Sequence, residues 1–506
     1  MYRTHRIYHT VPYWYANRIH FIIKKSVCIF ERKKNHIMGH DHPEVEVYAS
    51  FVNNEPVTEE DKCLSGLGRC CIFVKEESDV ITSIVEKTIQ QNVELQKGEK
   101  QTAKKYMKQS VAEAQTYLTQ TLGVDVSIVN VHLCLESCDA VIESDGCLVS
   151  CWLDAGCDKV LLPYKKEEDA QLLKHALEVA RVPKERLMVH LPSSSTSDMV
   201  SIVNEVSDFI CGVSISLTCN DYSTTKEKET FLQNLSVPVT VQLEDCKEVE
   251  EEKLLAVVKE WADKKGIVGI SLVDPTSHIL GYACIEVRYR TDRPDGLYTT
   301  VVCTRNNEAL GLVYSSKDSV VAALQCGRGV YYSRSRGGLW RKGDTSGHYQ
   351  TLHRIDVDCD GDALRFLVTQ NTSSPEEQAA FCHLKTLTCW GHPPGMKHLE
   401  QTLQQRFVDA PMGSYTKRLF EDAELLTNKL VEEAQELSEA TTKQHVAEEL
   451  ADVLYFAMVR ATAAGVSLDD AAAELDKRSR KVTRRKGDAK AERIAAANAI
   501  LKQTKS

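Results

Sequence analysis

Two short stretches near the C-terminus carry residue types that do metal chemistry. The first is Asp358-Cys359-Asp360-Gly361-Asp362, followed by Cys382-His383 and Cys389. The second is Glu432-Glu433-x-x-Glu436, then Glu449-x-x-Asp452. Thiolates beside carboxylates suit zinc next to a harder ion. An all-carboxylate set suits magnesium and a polyphosphate. Two such sets in one chain point to two metal-dependent catalytic domains.

On a strand, Asp358, Asp360 and Asp362 share one face and Cys359 points to the other. Three carboxylates on one face repel each other unless a cation sits among them. Cys359 then belongs to a different site, with Cys382 and Cys389 as its companions. Three sulfur ligands with an open fourth position form a catalytic zinc pattern, since structural sites are usually closed by four ligands. An Asp-rich turn is also a common solvated loop, and a lone C-x6-C pair is not a standard zinc spacing. The preceding segment, Ser333 to His348, adds weight. Its glycines allow close backbone approach, and Arg334, Arg336, Lys342 and Ser346 suit phosphate oxygens. The bland alternative is a basic surface loop.

The second set has helical spacing. Glu432, Glu433 and Glu436 fall on one helix face, and Glu449 and Asp452 on another. Two such helices packed together make a cage of oxygen ligands for magnesium, which holds phosphates. A single acidic cluster is usually a solvated face; a second one, followed by the apolar run Val453–Val459, favours a site.

Those motifs need elements to position them. At 506 residues the length prior is about three domains. The 42% apolar and 26% charged fractions are ordinary for a soluble globular protein. A net charge of −10 argues against a general nucleic-acid binder. No run of 18 or more apolar residues suggests a membrane span. Eighteen scattered cysteines without a signal peptide point to a reducing, cytoplasmic setting rather than a disulfide framework. Residues 1–37 hold eight Lys or Arg and one acidic residue, Glu31. They read as a transit peptide, an upstream extension or a misassigned start, since Met38 begins a more ordinary sequence.

The expected fold is multidomain. Residues 38–125 are unassigned and partly helical, with one helix from Val80 to Leu122. Residues 126–285 alternate short β-rich runs with helix-like segments, which predicts an α/β domain. The runs are Val160–Leu162, Leu187–His190, Phe209–Leu217, Val237–Leu243 and Ile267–Val273. They are read as part of a βα barrel or an open sheet, and as non-catalytic, since no acid, base or phosphate loop clusters on them. Residues 286–392 predict a β-rich domain. His392-Pro393-Pro394-Gly395 reads as a linker. Residues 399–490 predict an all-α domain.

The first motif set is specific. S-R-S-R-x-x-L-W-x-K-G-x-x-S-G-x-x-Q, then D-C-D-x-D-A-L, then C-H and a later Cys, resembles phosphoribosyl-AMP cyclohydrolase. The resemblance covers about 100 residues. It implies a β-rich dimer with Cys359, Cys382 and Cys389 on zinc, Cys359 being contributed by the partner subunit. It also implies Asp358, Asp360 and Asp362 on magnesium, and His383 as a proton-transfer group. Bacterial members usually read Cys-His-Thr-Gly where this chain has Cys382-His383-Leu384-Lys385. The second set, with Ser414-Tyr415-Thr416, Lys429 and Lys477-Arg478, resembles phosphoribosyl-ATP pyrophosphohydrolase. That resemblance implies an oligomer, at least a dimer. It also implies magnesium on Glu432, Glu433, Glu436, Glu449 and Asp452, with Glu433 and Glu436 catalytic.

The two activities are consecutive in histidine biosynthesis, and the order resembles the fungal-type multifunctional enzymes. Those continue into a histidinol dehydrogenase domain, for which this chain is expected to be too short. The expected substrates are phosphoribosyl-ATP and phosphoribosyl-AMP, with Zn2+ and Mg2+ as cofactors. No nucleic acid or membrane partner is expected. The rival reading is a house-cleaning nucleoside triphosphate pyrophosphohydrolase that uses the acidic helices alone.

Overall fold

The structure is a computed structural model. It describes residues 45–53, 65–74, 79–164, 169–191, 203–219, 235, 237–374, 378–391, 395–483 and 491–504. The basic extension and residues 392–394 of the expected linker lie outside the described residues.

The α/β region is a closed barrel of eight parallel strands. They are β1 (Glu46–Asn53), β2 (Arg69–Val74), β3 (Asn130–Cys134), β4 (Lys159–Pro163), β5 (Leu187–Leu191), β6 (Val213–Thr218), β7 (Val239–Glu244) and β8 (Ile267–Val273). β1 pairs with both β2 and β8, which closes the ring. The five expected strands are β4 to β8. The barrel also takes in β1 and β2, from the stretch that sequence alone left unassigned. Strands covered on both faces read as continuous apolar runs, and β2, Arg-Cys-Cys-Ile-Phe-Val, is too short a run to separate from a buried helix. Its adjacent cysteines serve packing. Cys70 joins the outer core under the helices, and Cys71 joins a cluster with Tyr48, Cys134, Leu161 and Met188.

The single helix expected over 80–122 is a hairpin, α1 (Asp79–Gln96) and α2 (Lys100–Thr116), ending in a π turn over Tyr117–Thr121. Gly98 breaks it at φ +81°, a left-handed conformation that costs glycine little. Between β3 and β4 lie α3 (Asp139–Glu143) and α4 (Cys147–Ala155), the latter buried on almost every side. A helix apolar all round has no periodicity to reveal it. Around the rest of the barrel run α5 (Asp169–Ala180), α6 (Glu251–Ala262) and α7 (Ser277–Arg288).

The β-rich region forms a four-stranded sheet in the order β10-β9-β14-β13 and a hairpin, β11-β12. The strands are β9 (Tyr298–Cys303), β10 (Ala309–Ser315), β11 (Val330–Ser333), β12 (Gly338–Arg341), β13 (Gln350–Val357) and β14 (Ala363–Gln370). One helix that the β-rich reading left out, α8 (Lys317–Cys326), starts at a Ser316/Ser319 capping box.

The C-terminal region is helical, as expected: α9 (Met396–Val408), α10 (Tyr415–Glu421), α11 (Ala423–Glu439), α12 (Lys443–Ala463), α13 (Leu468–Ser479) and α14 (Ala491–Thr504). Its core is small: Leu403, Leu419, Leu426, Phe456, Met458 and Val459. The segment after α13 is tied to the barrel. Arg480 donates to the carbonyls of Val129 (3.1 Å) and Gly156 (3.2 Å). Asp154 Oδ1 accepts the N–H groups of Val482 (2.8 Å) and Thr483 (3.1 Å).

Candidate active sites

The three aspartates do not lie on a strand. β13 ends at Val357, and residues 358–362 form the turn into β14. Asp358 Oδ1 accepts the backbone N–H groups of Gly361 (3.1 Å), Asp362 (3.0 Å) and Ala363 (3.1 Å). Gly361 has φ +88°, and a Cβ there would strike the Arg288 carbonyl oxygen. This turn, rather than strand alternation, gathers the carboxylates. Side-chain oxygens of Asp358, Asp360 and Asp362 lie within 4.8 Å of one another. Partial desolvation, then the charges of Asp360 and Asp358, push the Asp362 carboxyl above its ordinary value. Three exposed carboxylates held this close fit a hard cation.

Cys382 and Cys389 come together in a loop docked on β10. Cys382 N–H donates to Thr386 O (3.1 Å), Lys385 N–H to Cys382 O (3.0 Å), and Cys389 N–H to Leu310 O (2.8 Å). The Leu384 N–H draws the Cys382 thiol below its ordinary value, while desolvation and then the Cys382 charge push the Cys389 thiol up. Two sulfurs brought to one loop, one of them favoured as thiolate, fit zinc. Cys359 is exposed on the Asp turn and, within one chain, does not join the pair among the described residues. His383 is exposed, with Nδ1 3.9 Å from Cys382 Sγ.

Gly311 makes this docking feasible, and motif reading missed it. A Cβ at Gly311 would strike the Phe381 ring and lie 3.0 Å from Cys389 Sγ. The available signal was a glycine inside a strand pattern, which marks close approach. Gly311→Ala is expected to weaken zinc binding by about tenfold, a typical effect of displacing a ligand's support. Competition with a chromogenic chelator measures it; unchanged affinity would remove Gly311 from the site.

The basic segment divides in two. Arg334 and Arg336 sit in the turn between β11 and β12, and both are exposed. The Arg334 guanidinium lies 4.0 Å from the Tyr314 ring centroid, beside a groove of about 540 Å³ lined by Leu312, Tyr332 and Trp340. Ser346 is exposed, and its Oγ accepts the His348 N–H (3.4 Å). Lys342 is placed differently. It is 5% exposed, with Nζ 5.3 Å from the Phe381 ring centroid. Burial pushes its ammonium below the ordinary range, and Cys389 and Cys382 oppose that shift.

The second cluster lies between α11 and α12. Asp422 caps α11, accepting the Leu425 N–H (2.9 Å), and Thr442 caps α12. Carboxylate oxygens of Glu433, Glu436 and Glu449 lie within 4.8 Å of one another. Lys429 Nζ reaches Glu432 Oε2 (2.8 Å) and Glu433 Oε1 (2.6 Å). Glu449 Oε1 meets His445 Nε2 at 3.1 Å, a contact that i,i+4 spacing signalled and motif reading passed over. Glu449 Oε2 is buried with no partner among the described residues. Desolvation, then the Glu449 and Glu432 charges, push the Glu436 carboxyl up. An orphaned buried carboxylate oxygen beside two more carboxylates fits a divalent cation with oxygen ligands. Glu432 and Asp452 flank this trio; Asp452 is exposed one turn beyond Glu449.

Comparison with known proteins agrees with this division. Residues 311–391 match the phosphoribosyl-AMP cyclohydrolase family model, and residues 396–479 match that of phosphoribosyl-ATP pyrophosphohydrolase. The histidine biosynthesis trifunctional protein of Saccharomyces cerevisiae is 41% identical over 339 residues, 65% of this chain and 38% of that protein. That match is longer than the two family segments together, so it must reach into the barrel. The histidine biosynthesis bifunctional protein his7 of Schizosaccharomyces pombe is 54% identical over 206 residues, 41% of this chain and 48% of that protein. This chain therefore spans less than half the length of these two fungal relatives. The histidine biosynthesis bifunctional protein HisIE of Pyrococcus furiosus is 33% identical over 202 residues, 37% of this chain and 93% of that protein. Since nearly all of that archaeal protein is matched, and both family segments are present here, this chain belongs to the family of histidine biosynthesis bifunctional proteins.

Proposed function

We propose that this chain catalyses two consecutive hydrolyses in histidine biosynthesis. The helical region (399–490) converts phosphoribosyl-ATP to phosphoribosyl-AMP and pyrophosphate. The β-rich region (286–392) then opens the adenine ring of phosphoribosyl-AMP between N1 and C6. The observation that carries the reading is two separate carboxylate clusters, each inside its own family segment, the first in a segment that also holds Cys359, Cys382 and Cys389. A house-cleaning hydrolase would leave the Cys and Asp clusters without a use.

Glu432, Glu433, Glu436, Glu449 and Asp452 would hold Mg2+. Cys382 and Cys389, with Cys359, would hold Zn2+, and Asp358, Asp360 and Asp362 a second Mg2+. When bound, these ions supply Lewis acidity and charge neutralisation for attack by water. In the helical site, Glu436 takes the proton of the attacking water, and Glu433 is held in place by Lys429. In the β-rich site, His383 moves a proton between the water that adds at C6 and the departing N1. Arg334, Arg336 and Ser346 hold phosphate and ribose. Lys342 stands closer to the thiols and balances their charge. Purified protein given phosphoribosyl-ATP should release pyrophosphate first and show ring opening second. Pyrophosphate release without ring opening, in protein replete with both metals, refutes the bifunctional reading.

The working unit is at least a homodimer, acting in the cytoplasm. Val446, Leu450 and Leu454 form an exposed apolar stripe along α12, as an intersubunit face would. The separation of Cys359 from the thiol pair supports the same reading. Mixing an inactive Cys359→Ser chain with an inactive Cys382→Ser chain should restore ring opening. With random exchange about half the dimers are mixed and each has one complete site, so about a quarter of wild-type activity returns. No recovery after verified exchange favours a zinc site built within one chain.

A further inference from the structure

The two proposed hydrolyses call on no barrel residue, yet the C-terminal end of the barrel's bore is built like a site. Alternation turns Val239, Val241 and Leu243 of β7 to the outer core, so Gln242 and Glu244 face the bore. The same reasoning turns Ser216 of β6 and Ser271 of β8 inward. Ser216 and Ser271 are the register neighbours of Gln242 on either side. The opposite wall is aromatic. Phe73 of β2 and His190 of β5 meet edge to face at 5.4 Å, and their strands are not neighbours, so this contact crosses the bore.

Two polar atoms at this end of the bore are orphaned. Gln242 is 2% exposed, and its Oε1 has no hydrogen-bond partner among the described residues. His190 Nδ1 is buried and equally without a partner. Burial holds the His190 imidazole down to about 4, so the ring is neutral at pH 7. Buried polar atoms without partners destabilise a fold, and one in a native core points to a role. Parallel barrels place their sites at the C-terminal ends of the strands, where these residues lie.

We infer that this end of the bore binds a neutral amino-substituted heterocycle, recognised by the Gln242 carboxamide. Oε1 accepts from the exocyclic amino group and Nε2 donates to the neighbouring ring nitrogen, the pairing a Gln makes with adenine. Phe73 and His190 supply the flat apolar contact. Glu244, half-buried at the rim, accepts from hydroxyl or amino groups and disfavours a phosphate there.

The test is calorimetric titration of the full, metal-loaded chain with adenosine and, separately, with AMP. Wild type should bind adenosine at one site per chain. Gln242→Leu should weaken that binding by about tenfold or more, because a site built to hydrogen-bond loses its partner. The same variant should melt at a higher temperature, since it removes an orphaned amide, and should keep both hydrolytic activities. His190→Ala, at the more open rim, is the second variant and should also weaken binding. Three results overturn the inference: no adenosine binding at millimolar concentration, binding untouched by both substitutions, or binding of AMP without adenosine.

Discussion

Cys382→Ser should abolish ring opening while pyrophosphate release stays within about twofold of wild type, as independent sites require. Serine keeps the shape of the side chain and removes the thiolate. Cys382 is buried, its thiol is paired with Cys389, and its loop is held by backbone bonds to Thr386 and Lys385. The loop should therefore survive the change while zinc affinity collapses. Losing the Lewis acid removes several kcal/mol of stabilisation, so a fall of about 1000-fold or more is expected. Separate assays of pyrophosphate and ring-opened product check it, with zinc content measured on the same sample. If both activities fell together in a folded variant, the two sites would not be independent.

Glu436→Gln should do the reverse. Glu436 shares its cluster with Glu433 and Glu449, and its carboxyl is pushed up by desolvation and then by the charge of Glu449. The amide keeps the size, relieves that repulsion and removes a ligand charge. The helices should hold or gain stability while pyrophosphate release falls by about 100-fold, the upper range for a disturbed metal site. Asp452→Asn should act in the same direction and less strongly, because Asp452 lies outside the trio of Glu433, Glu436 and Glu449. Magnesium titrations of initial rate distinguish lost affinity from lost turnover. Normal release by both variants would remove these acids from the reaction.

Sequence by itself named the residues of both candidate sites. Glu432, Glu433 and Glu436 share a helix, and i,i+3 and i,i+4 spacing is enough to put such acids on one face. The turn and loop motifs named the aspartates and cysteines by type and order. It also determined the all-α end and five of the eight barrel strands, because β4 to β8 are short apolar runs bounded by polar segments. Tertiary structure decided what spacing cannot encode. Asp358, Asp360 and Asp362 converge through a turn closed by three backbone N–H bonds, where strand alternation was expected. Gly311 matters only because Phe381 and Cys389, far along the chain, pack on it. Lys342 reads as one of several basic loop residues and is in fact buried beside thiols. β1 and β2 became strands because β8 and β3 were there to pair with them. Helical periodicity is a local property that residues carry with them. Barrel closure, burial and the approach of distant side chains depend on non-local contacts, which exist only once the chain has folded.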